Sequence, residues 1–443
     1  MIKLSDDFSY SRLLRFAAPS IAMMIFTSIY NVTDGLFVAN LVGKIPFAAL
    51  TLIWPVLSIA AAVGFMIGAG GTAIIGRSLG KHHDKRASEY FSMFVWLLIG
   101  VGAVIGAVMF ALMPTFARLL GASDELISEC VIYGRTVIVA LPFAMVQMCF
   151  SSFFIVAEKP KWGLLTTIIS GLTNIILDAL FIAVFGWGLF GAALATALGQ
   201  GIGALIGLIY FARENSSLLR LSFDFKFRTP IIMKACTNGS SEMVSSVAYS
   251  LITMLYNYQL MRFIGTDGVV AYGVVMYAGF IFSAIFYGFC MGVEPIFSYN
   301  HGAKNFPQLQ NVFKKSLSVI LVAGSAMLCV VWAFGDELVG AFLSSDENAR
   351  ALATHALHIF AITYILSGCT IFASGFFTAL NNGKISALIS FMRSLVFETA
   401  AIILMPMIFG ASAIWWAIVV AEIGAFSLSV YFLITQRKIY KYA

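Results

Sequence analysis

Six carboxylates stand inside long apolar stretches of this 443-residue chain: Asp34, Asp178, Glu242, Glu294, Glu398 and Glu422. An ionised carboxylate at the middle of a membrane helix costs about 2.5–3.5 kcal/mol on insertion scales, so each needs a partner or a task. Asn174 and Asp178 are i and i+4 and share one helical face. A rise of ~1.5 Å per residue puts Asp34 ~28 Å beyond Arg15, and Asn174 and Asp178 ~18 and ~24 Å beyond Trp162. Thr196 falls ~10 Å in from the opposite face of a ~30 Å core. The four groups therefore lie at similar depth, in the half of the membrane away from the N-terminus. Two carboxylates, an amide oxygen and a hydroxyl make an all-oxygen set that suits a hard cation such as Na+, or a carboxylate pair sharing one proton. A purely structural hydrogen-bonded pair is the rival account, but neutral residues would serve that purpose at lower cost. Asp34, Asn174, Asp178 and Thr196 are accordingly expected to couple ion movement to function.

Glu242 and Glu398 are more isolated, and Arg393 is the one deep-lying base near them in sequence. They are expected either to form an internal ion pair or to bind a cationic substrate. Glu294 and Glu422 are read as lying near cytoplasmic helix ends, satisfied by solvent or by basic loops. Tyr30 and Asn31 precede Asp34 by a turn or less, and Asn257 follows Tyr256. With the 40 Phe and 19 Met they are candidates to line an amphiphilic cleft, since aromatic faces attract organic cations and Met adapts to varied shapes. Gly199, Gly201 and Gly203 resemble part of a dinucleotide fingerprint but follow no strand, so they are read as helix-packing glycines. His355 and His358 have metal-ligand spacing without a third ligand and are expected at the surface. The six cysteines show no CxxC pair and are expected to be small buried hydrophobic residues. No catalytic constellation, Walker motif or cofactor signature is visible, so energy must come from an ion gradient or the process is passive.

These residues must be positioned by membrane helices. Hydrophobic residues make up 60% of the chain and charged ones 11%, against roughly 25% charged in a soluble domain. Apolar stretches near 11–39, 47–76, 92–117, 126–156, 162–186, 189–212, 232–264, 267–299, 313–343, 350–380, 384–409 and 411–436 predict twelve spans. The first carries Pro19 and no small-residue cleavage site, so it is read as a retained helix and not a signal peptide. If the count is right, Lys and Arg should gather in alternate loops. Of the 27, all but Lys44, Arg118, Arg135, Arg262 and Arg350 fall on one side. Both termini are therefore expected in the cytoplasm, and the net charge of +6 reports topology and not nucleic-acid binding.

The longest polar segment divides the spans six and six. Ile202–Phe211 lines up with Ile423–Phe432 at an offset of 221, Ser151–Phe154 with Ser374–Phe377 at 223, and Gly64–Gly68 with Gly288–Gly292 at 224. A duplicated chain is expected, with two pseudo-symmetric six-helix lobes around a central cleft, related by an axis along the membrane normal. The lobes are assigned to residues 1–212 and 232–443, with a cytoplasmic linker at 213–231. At a 223 offset Asp34 falls on Asn257 and Asp178 on Ala401. The second lobe lacks the acidic pair, which argues for one asymmetric coupling site.

The chain resembles the MATE (multidrug and toxic compound extrusion) transporters, in particular their bacterial MepA-like branch. The resemblance spans nearly the whole sequence. It rests on Tyr30–Asp34, Asn174–Asp178, Gly191–Thr196, Pro295–Gly302 and Trp415–Glu422, in that order and spacing. It implies a twelve-helix, all-α membrane protein in the bacterial cytoplasmic membrane. It also implies export of amphiphilic, mostly cationic compounds in exchange for Na+ or H+, by a monomer with no cofactor. By position, Asp34, Asn174, Asp178 and Thr196 correspond to the family's first-lobe ion cluster. The chain departs from the family pattern at Glu294, where an amide usually precedes the proline. A flippase for a lipid-linked precursor, from a related two-lobed superfamily, is the alternative; its anionic headgroup would require several cleft Arg or Lys.

Overall fold

The computed structural model describes residues 2–340 and 347–442; the last positions of the ninth predicted span, 341–343, and the side chains of Asn31 and Lys44 lie outside the described residues. Fourteen α-helices run in order: α1 (Tyr10–Phe37), α2 (Lys44–Gly80), α3 (Asp84–Leu119), α4 (Asp124–Val139), α5 (Leu141–Val156), α6 (Pro160–Asp178), α7 (Gly188–Ala212), α8 (Thr229–Phe263), α9 (Thr266–Gly302), α10 (Phe306–Gly340), α11 (Glu347–Ala379), α12 (Gly383–Phe391), α13 (Thr399–Phe409) and α14 (Ala417–Tyr440). They form twelve rods that coincide with the twelve predicted spans. The fourth is α4 and α5, bent by 57° at Ala140 just before Pro142, whose ring removes a backbone donor. The eleventh is α12 and α13, joined by a π-helical stretch at Met392–Glu398. The seventh, α8, is long enough to span but holds Asn238, Ser240, Ser241, Glu242, Ser245 and Ser246, and so is the least apolar of the twelve.

Within the first lobe α2 packs on α3, α4 and α5, and α6 lies between α1 and α7. Within the second, α11 is central and touches α9, α10, α12 and α14. Helices associate in lipid by close packing, which small residues permit. Gly199, Gly203 and Gly207 recur every fourth residue on α7. A Cβ at Gly199 would press on the Ser170 carbonyl and Asn174, at Gly203 on Gln147, and at Gly207 on the Phe150 ring. Of the glycines read from sequence as packing residues, Gly199 and Gly203 serve that purpose, whereas a Cβ at Gly201 would meet nothing within 4 Å.

The lobes meet along α1 and α2 on one side and α8 and α9 on the other. Their tight contacts fall toward the ends that carry Arg12, Arg77, Lys81, Lys234 and Lys304. A Cβ at Gly70 would overlap the Ala235 carbonyl, one at Gly239 the Met66 carbonyl, and one at Gly80 the Tyr299 carbonyl. Toward the other end, by contrast, a Cβ at Gly273 or Gly279 would meet nothing within 4 Å. The closest backbone contacts between the lobes thus lie at the basic end, which they seal.

The 212–228 connection is not a free tether. The Ser88 and Ser92 hydroxyls of α3 donate to the Arg220 carbonyl (2.9 and 3.1 Å), and Trp96 Nε1 donates to the Ser222 carbonyl (3.1 Å). The Trp96 ring stacks on Phe223 at 4.5 Å. At the N-terminus, the Leu4 amide donates to Glu158 Oε1 (2.7 Å) in the first lobe, while Gln308 Nε2 and Asn311 Nδ2 of α10 donate to the Asp6 and Phe8 carbonyls (3.0 and 3.1 Å). This N-terminal strap ties the two lobes together at the basic end.

Candidate functional site

Asp34 lies near the end of α1, and Asp178 closes α6. Their carboxyl groups lie close enough to interact electrostatically. Asp178 is fully buried, Asn174 and Thr196 are buried, and Asp34 is half-buried. Asn174 Nδ2 donates to Thr196 Oγ1 at 3.4 Å, which leaves its Oδ1 free. Asp34 Oδ1, Asn174 Oδ1 and both oxygens of Asp178 are buried without a donor among the described residues. The four residues expected to act together are therefore brought together, as a pocket of unpartnered oxygens. Tyr30, one turn before Asp34, lies in its electrostatic range and packs on Phe26 at 6.3 Å. Asn31 falls outside the described side chains.

The chain turns irregular on either side of this pocket. A π-helical stretch, Val38–Val42, follows Asp34 on the same rod, and another, Ala179–Val184, follows Asp178 directly. Wide π turns are rare and gather at functional sites, because they release backbone groups and re-aim side chains.

One member of this cluster is absent from the sequence reading. Tyr133 of α4 is fully buried; its hydroxyl faces Thr196 and lies in the field of both Asp34 and Asp178. The available signal is modest: Cys130, Tyr133, Gly134 and Val137 recur at helical spacing and are all buried. A tyrosine on an apolar helix face reads equally well as an interfacial aromatic.

The second lobe holds a separate acidic group. Arg393 Nε and Nη2 donate to Glu422 Oε1 at 2.7 and 2.6 Å, with the Glu422 side chain only 4% exposed. This corrects the reading of Glu422 as a carboxylate near a cytoplasmic end. It lies eleven residues into the last rod, mid-span, and its partner is Arg393 and not a loop base. Glu294 is corrected in the same way. It is buried and lines a small central cavity with Glu242, Tyr287, Cys290 and Arg393 of its own lobe and Met24, Phe65 and Ser152 of the other. Its Oε1 rests against Gly375, where a Cβ would stand 2.9 Å away. Neither Glu242 nor Glu294 pairs with Arg393, which Glu422 already holds. A neighbouring space of about 1030 Å³ shares Ser245, Tyr287 and Arg393 and adds Glu398, Glu422, Tyr249, Tyr272 and Tyr364. Asn257 is half-buried on α8 and is not part of either lining, while Tyr256 beside it stacks on Tyr272 at 4.7 Å.

The remaining sequence readings are met in part. His355 is exposed, but His358 is half-buried beside Trp332, whose Nε1 donates to its carbonyl (3.2 Å). No group of three or more His, Cys, Asp or Glu suited to a metal occurs among the described residues. Cys130, Cys149, Cys290 and Cys369 are buried, Cys236 is half-buried and Cys329 exposed.

Twelve membrane-length rods, two lobes in close backbone contact at one end and a cavity between them lined by buried carboxylates define a two-lobed membrane transporter. The family model described as MatE matches the chain twice, over residues 19–180 and 243–404. The chain belongs to the MatE family of multidrug-efflux transporters. The second match begins 224 residues after the first, in keeping with the offsets of 221–224 read from the sequence. The chain is similar to the multidrug export protein MepA of Staphylococcus saprophyticus subsp. saprophyticus, at 25% identity over 93% of this chain and 91% of that one. It is 23% identical to MepA of Staphylococcus aureus (strain MSSA476) over the same shares. Among solved structures, a crystal structure of MATE in complex with MaL6 matches with a TM-score of 0.93 at 19% identity, over 99% of this chain and 98% of that one. An outward-facing conformation of a multidrug resistance MATE family transporter of the MOP superfamily matches with the same four values.

Proposed function

We propose that this protein is a secondary active antiporter that exports amphiphilic, mostly cationic compounds in exchange for Na+ or H+ by alternating access. The observation that carries this reading is the apposition of Asp34 and Asp178 with unpartnered buried oxygens around them. Two carboxylates this close cannot both stay ionised at low cost, so the site calls for a proton or a cation between them. Asp34, Asn174, Asp178 and Thr196 would supply oxygens to Na+; alternatively, the two carboxylates would share one H+. Either ligand lowers the negative charge facing the cleft and so weakens the hold on a cationic compound. An ion entering from the end opposite the basic one would thereby favour release there, and substrate entering from the basic end would compete with the ion in the opposite conformation.

In this reading residues 1–212 and 232–443 are the moving lobes, with 213–231 as linker. The basic end faces the cytoplasm, both termini with it, and the monomer sits in the bacterial cytoplasmic membrane. Glu242 and Glu294 line the substrate space, with Tyr30, Asn31 and Glu398 around it. Asn257 stays a weaker candidate, since it borders neither cavity. Little supports the flippase alternative. The two spaces together hold one Arg among four carboxylates, and that Arg is bound to Glu422, whereas an anionic headgroup needs free cations.

The test uses purified protein in liposomes loaded with a fluorescent organic cation, under a Na+ gradient and a pH gradient applied separately. Movement driven by one gradient and lost in Asp178→Asn supports antiport and names the ion. No movement of folded protein under either gradient overturns the reading.

A further inference from the structure

The sealed basic end carries a feature that the transport cycle does not use. A pocket with about 730 Å³ of space opens there between the lobes. Arg77 of α2, Lys81 just after it, and His83 and Arg86 at the start of α3 contribute from the first lobe. Lys234 of α8 and Asn381 of the α11–α12 turn contribute from the second. Lys234 lies within Coulombic range of Arg77 and Lys81. His301, at the end of α9, stands in the field of all three, with its Nδ1 buried and unpartnered. None of Arg77, Lys81, Arg86 and Lys234 forms an ion pair among the described residues, although Arg228 and Arg220 close by are each paired with a glutamate.

Four unpaired cations brought together from two bodies repel one another, and that repulsion opposes sealing of this end. Asn381 fixes the floor of the pocket: its Nδ2 donates to the Ala73 carbonyl (3.0 Å) and its Oδ1 accepts from Asn238 Nδ2 (3.0 Å), one contact to each lobe. We propose that this pocket binds a phosphate-bearing polyanion, carrying at least two phosphate charges, and that the anion clamps the lobes together at the basic end. Basic pockets between helices on the cytoplasmic side take the headgroups of anionic lipids, and Arg and Lys hold phosphate by charge-assisted hydrogen bonds. The ligand is a two-phosphate lipid headgroup or a soluble diphosphate; both present the same chemistry. Because the cations come from both lobes, the site exists only while this end is closed. Binding stands independently of the transport reading. Only its consequence, retention of the sealed conformation, rests on that reading.

The experiment measures the midpoint of thermal unfolding of the full chain. The protein is reconstituted in phosphatidylcholine vesicles, in the same vesicles containing cardiolipin, and in phosphatidylcholine vesicles with added inorganic pyrophosphate. Stabilisation by cardiolipin alone supports the pocket and assigns a lipid headgroup; stabilisation by pyrophosphate as well supports it and assigns the phosphate chemistry itself. In Lys81→Gln/Arg86→Gln/Lys234→Gln the apparent affinity should fall on the order of 100-fold, because each basic group near an anionic surface contributes about fivefold. The charge-preserving Lys81→Arg/Arg86→Lys/Lys234→Arg variant should keep it. Stabilisation that is equal in the neutralised and native proteins, or absent with both ligands, overturns the proposal. Gradient-driven transport of an organic cation in plain phosphatidylcholine is measured alongside. Its presence when no anion binds would reject the pocket while leaving the antiporter reading intact.

Discussion

Asp178 and Glu422 are both buried carboxylates, yet their surroundings assign them different work. Glu422 receives two charge-assisted bonds from Arg393, whereas no donor among the described residues reaches either oxygen of Asp178. Glu422 is thus ion-paired through Oε1, although its buried Oε2 has no donor among the described residues, whereas Asp178 has neither an ion-pair partner nor a donor on either oxygen. Replacing Arg393 with Leu would strand Glu422 in the interior, and loss of one partner from a buried pair costs about 3–5 kcal/mol. Arg393→Leu should therefore unfold earlier in a thermal melt in detergent. Arg393→Leu/Glu422→Leu should recover most of the loss, since the stranded charge is gone as well. Asp178→Asn, in contrast, should leave the melt nearly unchanged while coupled transport in liposomes disappears. Outside the membrane-spanning segments, burial raises the carboxyl pKa of Glu158 above its usual 4.5 even though Leu4 donates to it. A carboxyl whose folded pKa exceeds its unfolded one adds stability below the unfolded value and loses it as pH rises through the folded value. Melts of native protein and Glu158→Gln should thus diverge above about pH 4.5, with the native chain falling relative to the variant.

At the scale of elements, the linker and the N-terminal strap behave as fitted parts. The linker is held on α3 by Ser88, Ser92 and the Trp96–Phe223 stack. Each hydrogen bond contributes on the order of 1 kcal/mol and the aromatic pair about as much again. Trp96→Ala should release the segment, and trypsin should then cut at Arg220 or Lys226 several-fold faster than in the native chain, with the spans intact. Equal cleavage rates would mean that the linker is held by something else. The π-helical stretches at Ala179–Val184 and Met392–Glu398 occupy the fifth rod and the eleventh, the corresponding rods of the two lobes. One directly follows Asp178 and the other contains Arg393 and Glu398, so each lobe spends its irregular turn beside its own buried charges.

For the whole molecule, the seal at the basic end depends on glycine backbones in contact across the lobes. Gly70 faces Ala235 and Gly239, and Gly239 faces Met66. A Val at position 70 has nowhere to place its side chain while the end is closed, yet it meets no such neighbour once the lobes part. Gly70→Val should therefore insert and fold but populate the conformation open at the basic end. Spin labels on α2 and α8 near that end would report a longer separation, and gradient-driven export would fall at least tenfold. An unchanged distance would show that the contact does not govern the equilibrium.

Much of this architecture follows from composition and spacing alone. A chain that is 60% hydrophobic and 11% charged must satisfy every backbone group internally within the bilayer; its apolar stretches of some twenty residues or more do so as helices, and the alternation of Lys and Arg between loops agrees with their number. The duplication is equally legible, because two halves of one ancestor keep a constant offset. The first-lobe cluster could be found because Asp34, Asn174, Asp178 and Thr196 sit on rods of known rise, and depth is a one-dimensional quantity that counting supplies. What counting cannot supply is rotation and neighbourhood. Tyr133 joins the cluster only because α4 turns that face inward. Glu422 meets Arg393 across two rods that are 29 residues apart at those positions, and Glu294 turns into the central cavity because Gly375 leaves room for its carboxylate. Pairings between rods depend on how helices rotate about their axes and which surfaces interlock, and only the packed tertiary structure decides those angles.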